Sequence, residues 1–185
     1  MSDAPQHELF VLLGPISADA PMLPDVLCAL QVAYEGAITQ EIVQEGLTRG
    51  VKPSGDLIPW TLSEQFQEPE LAKLSGVRVV RIATHPDVQK MGYGSKALKD
   101  LIRFYQHELV AVSSDNTPHP SDAKVKKFKG LLSENLKPRK HLQPLLQKLS
   151  GIEPPPVQYI GTSFGITEAL HNFWNKSEFK PLYIR

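Results

Sequence analysis

The chemistry legible in this chain is concentrated in residues 84–95, THPDVQKMGYGS, where Gln89, Gly92 and Gly94 stand in the spacing Q-x-x-G-x-G. Glycines so placed at the head of a helix suit the binding of an anion. The first backbone N–H groups of a helix have no partner inside it, and the aligned peptide dipoles favour negative charge there. Gly92 and Gly94 remove the Cβ atoms that would hold a phosphate away from those N–H groups. No GxxxxGK[ST] arrangement follows, so the turn is not a nucleotide-triphosphate loop. Taken alone, the spacing leaves two readings open, a phosphate cradle and a plain tight turn.

A strand has to deliver the chain to this turn and a helix has to carry it away. Residues 77–83 are β-branched and apolar apart from Arg78 and Arg81, which reads as a strand, and His85-Pro86-Asp87 ends it because Pro86 offers the ladder no N–H. Residues 95–105 turn helical, with Ala97, Leu98, Leu101, Ile102 and Tyr105 on one face. Upstream, residues 1–6 read as a loose end and residues 8–13 as a short strand stopped by Gly14-Pro15. Asp25 is placed to cap a helix carrying Leu27, Leu30, Ala33 and Tyr34. Thr39 is placed to cap a second one, with Ile42, Val43 and Leu47 inward and Gly50 as its stop. Residues 56–62, DLIPWTL, read as a strand interrupted by Pro59, and residues 63–74 as a surface loop anchored by Phe66 and Leu71.

After the central helix the order breaks. Residues 108–156 are too long for a connection and read as an insertion. Helices are expected over residues 124–136 and 142–149, and the segment is locally basic through Lys124, Lys126, Lys127, Lys129, Lys137, Arg139, Lys140 and Lys148. That charge suits either a solvated helical surface or contact with RNA phosphates. Residues 157–163 form the next strand, Thr167 caps a helix carrying Leu170, Phe173 and Trp174, and residues 182–184 begin a last strand. The expected domain therefore runs over residues 7–185 with the insertion inside it.

Composition narrows the field. Lys+Arg and Asp+Glu are equal at 20 each, so nucleic-acid contact must come from local patches rather than net charge. Cys28 is the only cysteine, which excludes internal disulfides and multi-cysteine zinc sites, and the six histidines show no metal spacing. No apolar run approaches the length of a membrane span and no signal peptide opens the chain, so a soluble protein without a membrane partner is expected.

The glycine loop after an apolar strand resembles the acetyl-CoA pyrophosphate loop of GNAT-type N-acetyltransferases. The wider wording is more specific. SGDLIPWTLSEQFQEPE (residues 54–70), LSGVRVVRIATHPDVQKMGYGSKAL (74–98), KPRKHLQPLLQKL (137–149) and FWNKSEFKPLYIR (173–185) are all similar to the eukaryotic RNA cytidine acetyltransferases. Those enzymes make N4-acetylcytidine in small-subunit rRNA and some tRNAs. The resemblance implies an α/β fold of the GNAT type, a mixed central sheet flanked by helices with a helical insertion. It also implies acetyl-CoA as cofactor, RNA (rRNA and tRNA) as partner in the full-length enzyme, a part in ribosome biogenesis, and residence in the nucleus and nucleolus. Full-length members carry a helicase-like module upstream and an RNA-binding region downstream. The expectation is therefore an acetyltransferase domain excised from a larger enzyme, or a shortened relative.

On the same resemblance, backbone groups of Ile82, Ala83 and Thr84 hold the pantetheine arm. Gln89, Lys90, Met91, Gly92, Tyr93, Gly94 and Ser95 hold the pyrophosphate, and Lys176 takes the place of the family's basic residue near the adenosine end. Lys90 and Glu178 stand where glycines are common. No catalytic residue and no metal is assigned. His85, an imidazole beside the expected pantetheine strand, is a candidate base, against a strand-end residue bonded to backbone. Trp174 stands where many such enzymes carry a tyrosine acid, and an indole cannot serve in that role. Core packing is the expected account of Phe173 and Trp174. Two other readings stay open: a domain acting on protein lysine or a small amine, and a cofactor-binding scaffold without turnover of its own.

Overall fold

The computed structural model describes residues 6–15, 22, 24–50, 55–109 and 145–184. The chain divides into two compact units, Met1–Glu108 with Pro154–Arg185, and Leu109–Glu153. The first holds a four-stranded mixed sheet in the order β1-β2-β3-β4, made of β1 (His7–Leu13), β2 (Val26–Gly36), β3 (Ser75–Thr84) and β4 (Tyr159–Thr162). The first three strands are antiparallel neighbours, and β4 lies parallel to β3. Helices α1 (Gln40–Arg49), α2 (Leu57–Phe66), α3 (Tyr93–Tyr105) and α4 (Glu168–Lys176) surround it.

Helix α3 buries Ala97, Leu98, Leu101, Phe104 and Tyr105, while Ile102 is half-buried. Its aromatic end reaches β1, where the Phe10 ring lies 5.6 Å from Phe104 and 6.3 Å from Tyr105. A second small core joins Val43 of α1, Trp60 of α2 and Ala72 of the 3-10 turn Pro69–Lys73. Thr39 and Gly50 bound α1 as expected, Gly50 in the left-handed region at φ 65°, but the Thr39 side chain makes no capping hydrogen bond. Ile42 faces solvent rather than inward, and the side chain of Leu47 lies outside the described residues. Thr167 caps α4 by accepting the Leu170 N–H at 3.3 Å.

Four expected elements of the first unit are corrected. The expected helix around Leu27, Leu30, Ala33 and Tyr34 is instead β2. Cys28, Leu30, Val32 and Ala33 are all buried. A strand flanked on both sides and covered on both faces loses its apolar–polar alternation, and its spacing then mimics a helix stripe. Residues 56–62 are not a strand, because Leu57–Phe66 is helical. Pro59 is the third residue of α2, where no intrahelical acceptor awaits an N–H, so proline costs nothing.

The expected loop over residues 63–74 completes α2 and makes the 3-10 turn. Ser63 and Ala72 are its buried residues, while Phe66 is 55% exposed and anchors nothing. Residues 182–184 form no strand. Leu182 and Ile184 are 66% and 69% exposed, for β propensity supplies no ladder without a neighbouring edge.

In the second unit, residues 110–144 lie outside the description, and with them the expected helix 124–136 and most of the basic cluster. Of the expected helix 142–149, the described part bends and enters the 3-10 turn Leu149–Gly151 instead.

Candidate functional site

The site begins with a fault in β3. Gln31 of β2 stands opposite Arg81 and Val32 opposite Val79, so Val80 is an extra residue in β3. Such a bulge bends its strand and increases its twist. At the same point β4 leaves, its last pair being Val79 with Thr162, and Thr162 Oγ1 donates to the Val79 carbonyl at 3.2 Å. A side chain thus closes the last rung. Beyond it, β3 continues to Thr84 with no described strand on that edge.

The open edge has a definite polarity. The His85 N–H donates to Leu27 O at 2.9 Å, and Thr84 stands opposite Cys28. In an antiparallel ladder the bonded residues alternate, so Ala83 faces β2 while the N–H and C=O of Ile82 and Thr84 face the open side. An extended amide-bearing chain can pair there as an added strand.

At the end of that edge lies the glycine turn. Gly92 is the N-cap of α3 at φ 89°, with no side-chain cap, and the first helical bond runs from the Lys96 N–H to Gly92 O at 2.9 Å. The N–H groups of Tyr93, Gly94 and Ser95 therefore have no acceptor within the helix, and among the described residues no side-chain cap takes the place of an anion. A Cβ on Gly94 would stand 3.1 Å from Thr84 Oγ1 and 3.9 Å from both Ile82 Cδ1 and Phe173 Cε2. The missing side chain is what leaves room.

The room is a cavity of about 490 Å³ lined by Thr84, Gln89, Lys90, Gly92, Gly94, Ser95, Leu170 and Phe173. The structure thus brings together Thr84, Gln89, Lys90, Gly92, Gly94 and Ser95 of the expected site. Ile82 and Ala83 do not line the cavity, and the Ala83 backbone, bonded toward β2, is not open to an arm as expected. Met91 is exposed and Tyr93 half-buried, and neither lines the cavity. Lys176 ends α4 as an exposed residue outside the lining, three positions after Phe173 and so on the same side of the helix. Leu170 and Phe173 are additions. Their spacing of three marked a shared face, but nothing in the sequence said that the face bordered a cavity.

Trp174 is buried, stacked on Phe164 at 5.9 Å and edge-on to Phe179 at 4.9 Å, as core packing requires. His85 Nδ1 accepts the Asp87 N–H at 3.3 Å, the role of a strand-end residue bonded to backbone. Thr84 Oγ1 donates to Cys28 Sγ at 3.7 Å, and burial pushes the Cys28 thiol up, which disfavours the thiolate. Among the described residues no group of histidine, cysteine and carboxylate side chains could hold a metal, and no helix is long and apolar enough to cross a membrane.

The sequence profile described as GNAT acetyltransferase 2 matches residues 1–185. Over the whole chain the protein is 50% identical to an RNA cytidine acetyltransferase of Achlya ambisexualis, of which it covers 51%. It is 47% identical to the RNA cytidine acetyltransferase of Dictyostelium discoideum and 46% identical to that of Homo sapiens, again over its whole length. It covers only 19% and 18% of those two relatives.

Proposed function

The chain belongs to the GNAT acetyltransferase 2 family, and from that premise we propose that it transfers the acetyl group of acetyl-CoA to N4 of cytidine in RNA. The observation that carries the reading is the cavity that joins an open strand edge to an uncapped glycine turn. The names of its relatives supply the acceptor. We extend the reading to small-subunit rRNA and tRNA as targets, to ribosome biogenesis, and to the nucleolus as the place of action.

The residues present fit the cofactor. The unpartnered N–H groups at the head of α3 take the diphosphate, with Lys90 in the cavity lining and Lys176 on the Phe173 side of α4. Ile82 and Thr84 offer backbone groups to the pantetheine amides. The stretch from Val80 to Thr84 covers about 13 Å, which sets the reacting end near the bulge. When bound, acetyl-CoA supplies an activated acyl carbonyl on a sulfur leaving group. N4 forms a C–N bond to that carbonyl, the C–S bond breaks, N4 sheds one proton and the departing sulfur gains one. Among the described residues the cavity at the glycine turn is lined by no carboxylate, imidazole or phenol, and that cavity surrounds the diphosphate end rather than the reacting one. A second reading follows from coverage, since the chain spans only 19% and 18% of two of its relatives: it binds acetyl-CoA as a module, and turnover on structured RNA needs further parts of a longer enzyme.

The test is calorimetric titration with acetyl-CoA, followed by incubation with single-stranded RNA, basic peptides and small amines and mass spectrometry of each. Acetyl on cytidine N4 supports the first reading. Binding without transfer supports the second. Acetylated peptide or amine with unmodified RNA would overturn both.

A further inference from the structure

The most demanding group outside the cavity is a buried carboxylate. Glu35, 5% exposed, lies in β2 opposite Gly76. Arg78 Nε donates to Glu35 Oε1, and the Ile58 N–H at the start of α2 donates to Oε2 at 3.1 Å. A buried ion pair is a costly way to join a helix to a sheet, and a hydrophobic or neutral contact would do as well. Here the joint already exists, since the Gly36 N–H donates to Asp56 Oδ1 at 2.7 Å. What the pair adds is an arginine held in one orientation.

Among the described residues the guanidinium is engaged on its Nε edge alone: its two Nη amines donate to none of them, and the side chain keeps 17% exposure. A planar fork of N–H donors is thus fixed, with no described acceptor. Its place is informative. Arg78 sits two residues before Val80, about 7 Å along the strand from the bulge where β4 departs. By register it shares its sheet face with Glu35, Gly76, Tyr159 and Gly161. The Tyr159 hydroxyl on that face is buried with no partner among the described residues.

Resting on the assignment of acetyl transfer to cytidine, we propose that Arg78, held by Glu35, reads the acceptor base, its Nη groups donating to N3 and O2 of cytosine and so presenting N4 at the bulge. The chemistry is selective. Cytosine offers two acceptors beside N4, and a guanidinium fork meets such a pair through parallel hydrogen bonds. Uracil has an N–H at position 3, which would face a donor. Arg78 orients the base and carries no proton in the transfer. Glu35 is a positioning residue that acts through it.

The test uses the whole chain loaded with acetyl-CoA and short single-stranded RNAs alike except for one cytidine, uridine or 3-deazacytidine, the last lacking only the N3 acceptor. Arg78→Lys keeps the charge and loses the fork. It should weaken binding of the cytidine RNA roughly 5- to 150-fold. Acetyl-CoA affinity, binding of the uridine RNA and the melting temperature should stay near wild type. The 3-deaza exchange should weaken wild-type binding and leave the Arg78→Lys variant almost unaffected. Glu35→Gln should reduce the preference for cytidine over uridine, because the arginine is no longer held. Equal loss from the 3-deaza exchange in wild type and variant would overturn the proposal, and so would an unchanged cytidine preference in Arg78→Lys. If that variant fails to fold, the wild-type comparison decides, since indifference to the 3-deaza exchange refutes the reading. Wild type that binds acetyl-CoA yet shows no preference for cytidine sinks this inference alone. Wild type that does not bind acetyl-CoA sinks the functional assignment and this inference with it.

Discussion

Replacing Gly94 with valine separates the cradle from the fold. Gly94 is the second residue of α3 and has no positive φ, so valine meets no backbone strain there. The helix-propensity change from glycine to valine is within about 0.5 kcal/mol. Space is the issue. A first Cβ already stands 3.1 Å from Thr84 Oγ1, and two further methyl groups must enter the volume between Thr84, Ile82 and Phe173. Those neighbours are only half-buried and can yield toward the cavity. Overpacking should therefore cost no more than about 1 kcal/mol, a fall of roughly 2–4 °C in melting temperature. Binding should suffer far more, because the methyl groups occupy the approach to the Gly94 and Ser95 N–H groups. Losing one charge-assisted hydrogen bond costs about 1.5–3 kcal/mol, so the acetyl-CoA Kd should rise about 10- to 150-fold. Titration calorimetry reads the affinity and a thermal melt reads the fold. Wild-type affinity in a variant melting within those few degrees would show that the diphosphate does not approach this turn.

Four other outcomes follow from the same geometry. Glu178 holds a left-handed backbone at φ 68°, so Glu178→Gly should raise stability by up to about 1 kcal/mol in urea unfolding. Gly76→Ala would place a Cβ inside the ring of Tyr159 and should cost about 3 kcal/mol or more, read by the same assay. Glu35→Ala strands Arg78 and the Ile58 N–H and should cost about 3–5 kcal/mol. Burial pushes the Tyr105 phenol up to about 12 and raises those of Tyr34 and Tyr159 as well, so the folded state keeps protons that unfolded tyrosines lose near pH 10. Stability from this source is complete below pH 10 and is lost as pH rises toward 12. Tyr105→Phe should flatten that fall, and an unchanged slope in alkaline unfolding would contradict it.

What the sequence determined by itself was local. The strand into the glycine turn, the helix out of it, the helix boundaries at Thr39 and Gly50 and the cap at Thr167 all lie within a few residues of the signals that specify them. Most of the cavity lining was legible for the same reason, since Thr84 to Ser95 is a continuous run around one turn. Lys90 and Glu178, where glycine would be usual, do adopt left-handed backbone, at φ 63° and 68°.

Tertiary structure decided what depends on neighbours distant in sequence. Residues 26–36 carry a stripe that would serve a helix, and only the ladders to β1 and β3 make them a strand. Pro59 reads as a strand fault until α2 is seen to begin just before it. Leu170 and Phe173 become walls of the cavity because the tertiary fold sets α4 beside the turn at Gly94. The register that pairs Gln31 with Arg81 and Val32 with Val79 leaves Val80 over, and no residue type announces such a bulge. Nor does any local pattern join Glu35 to Arg78, because the contact exists only once β2 and β3 are aligned.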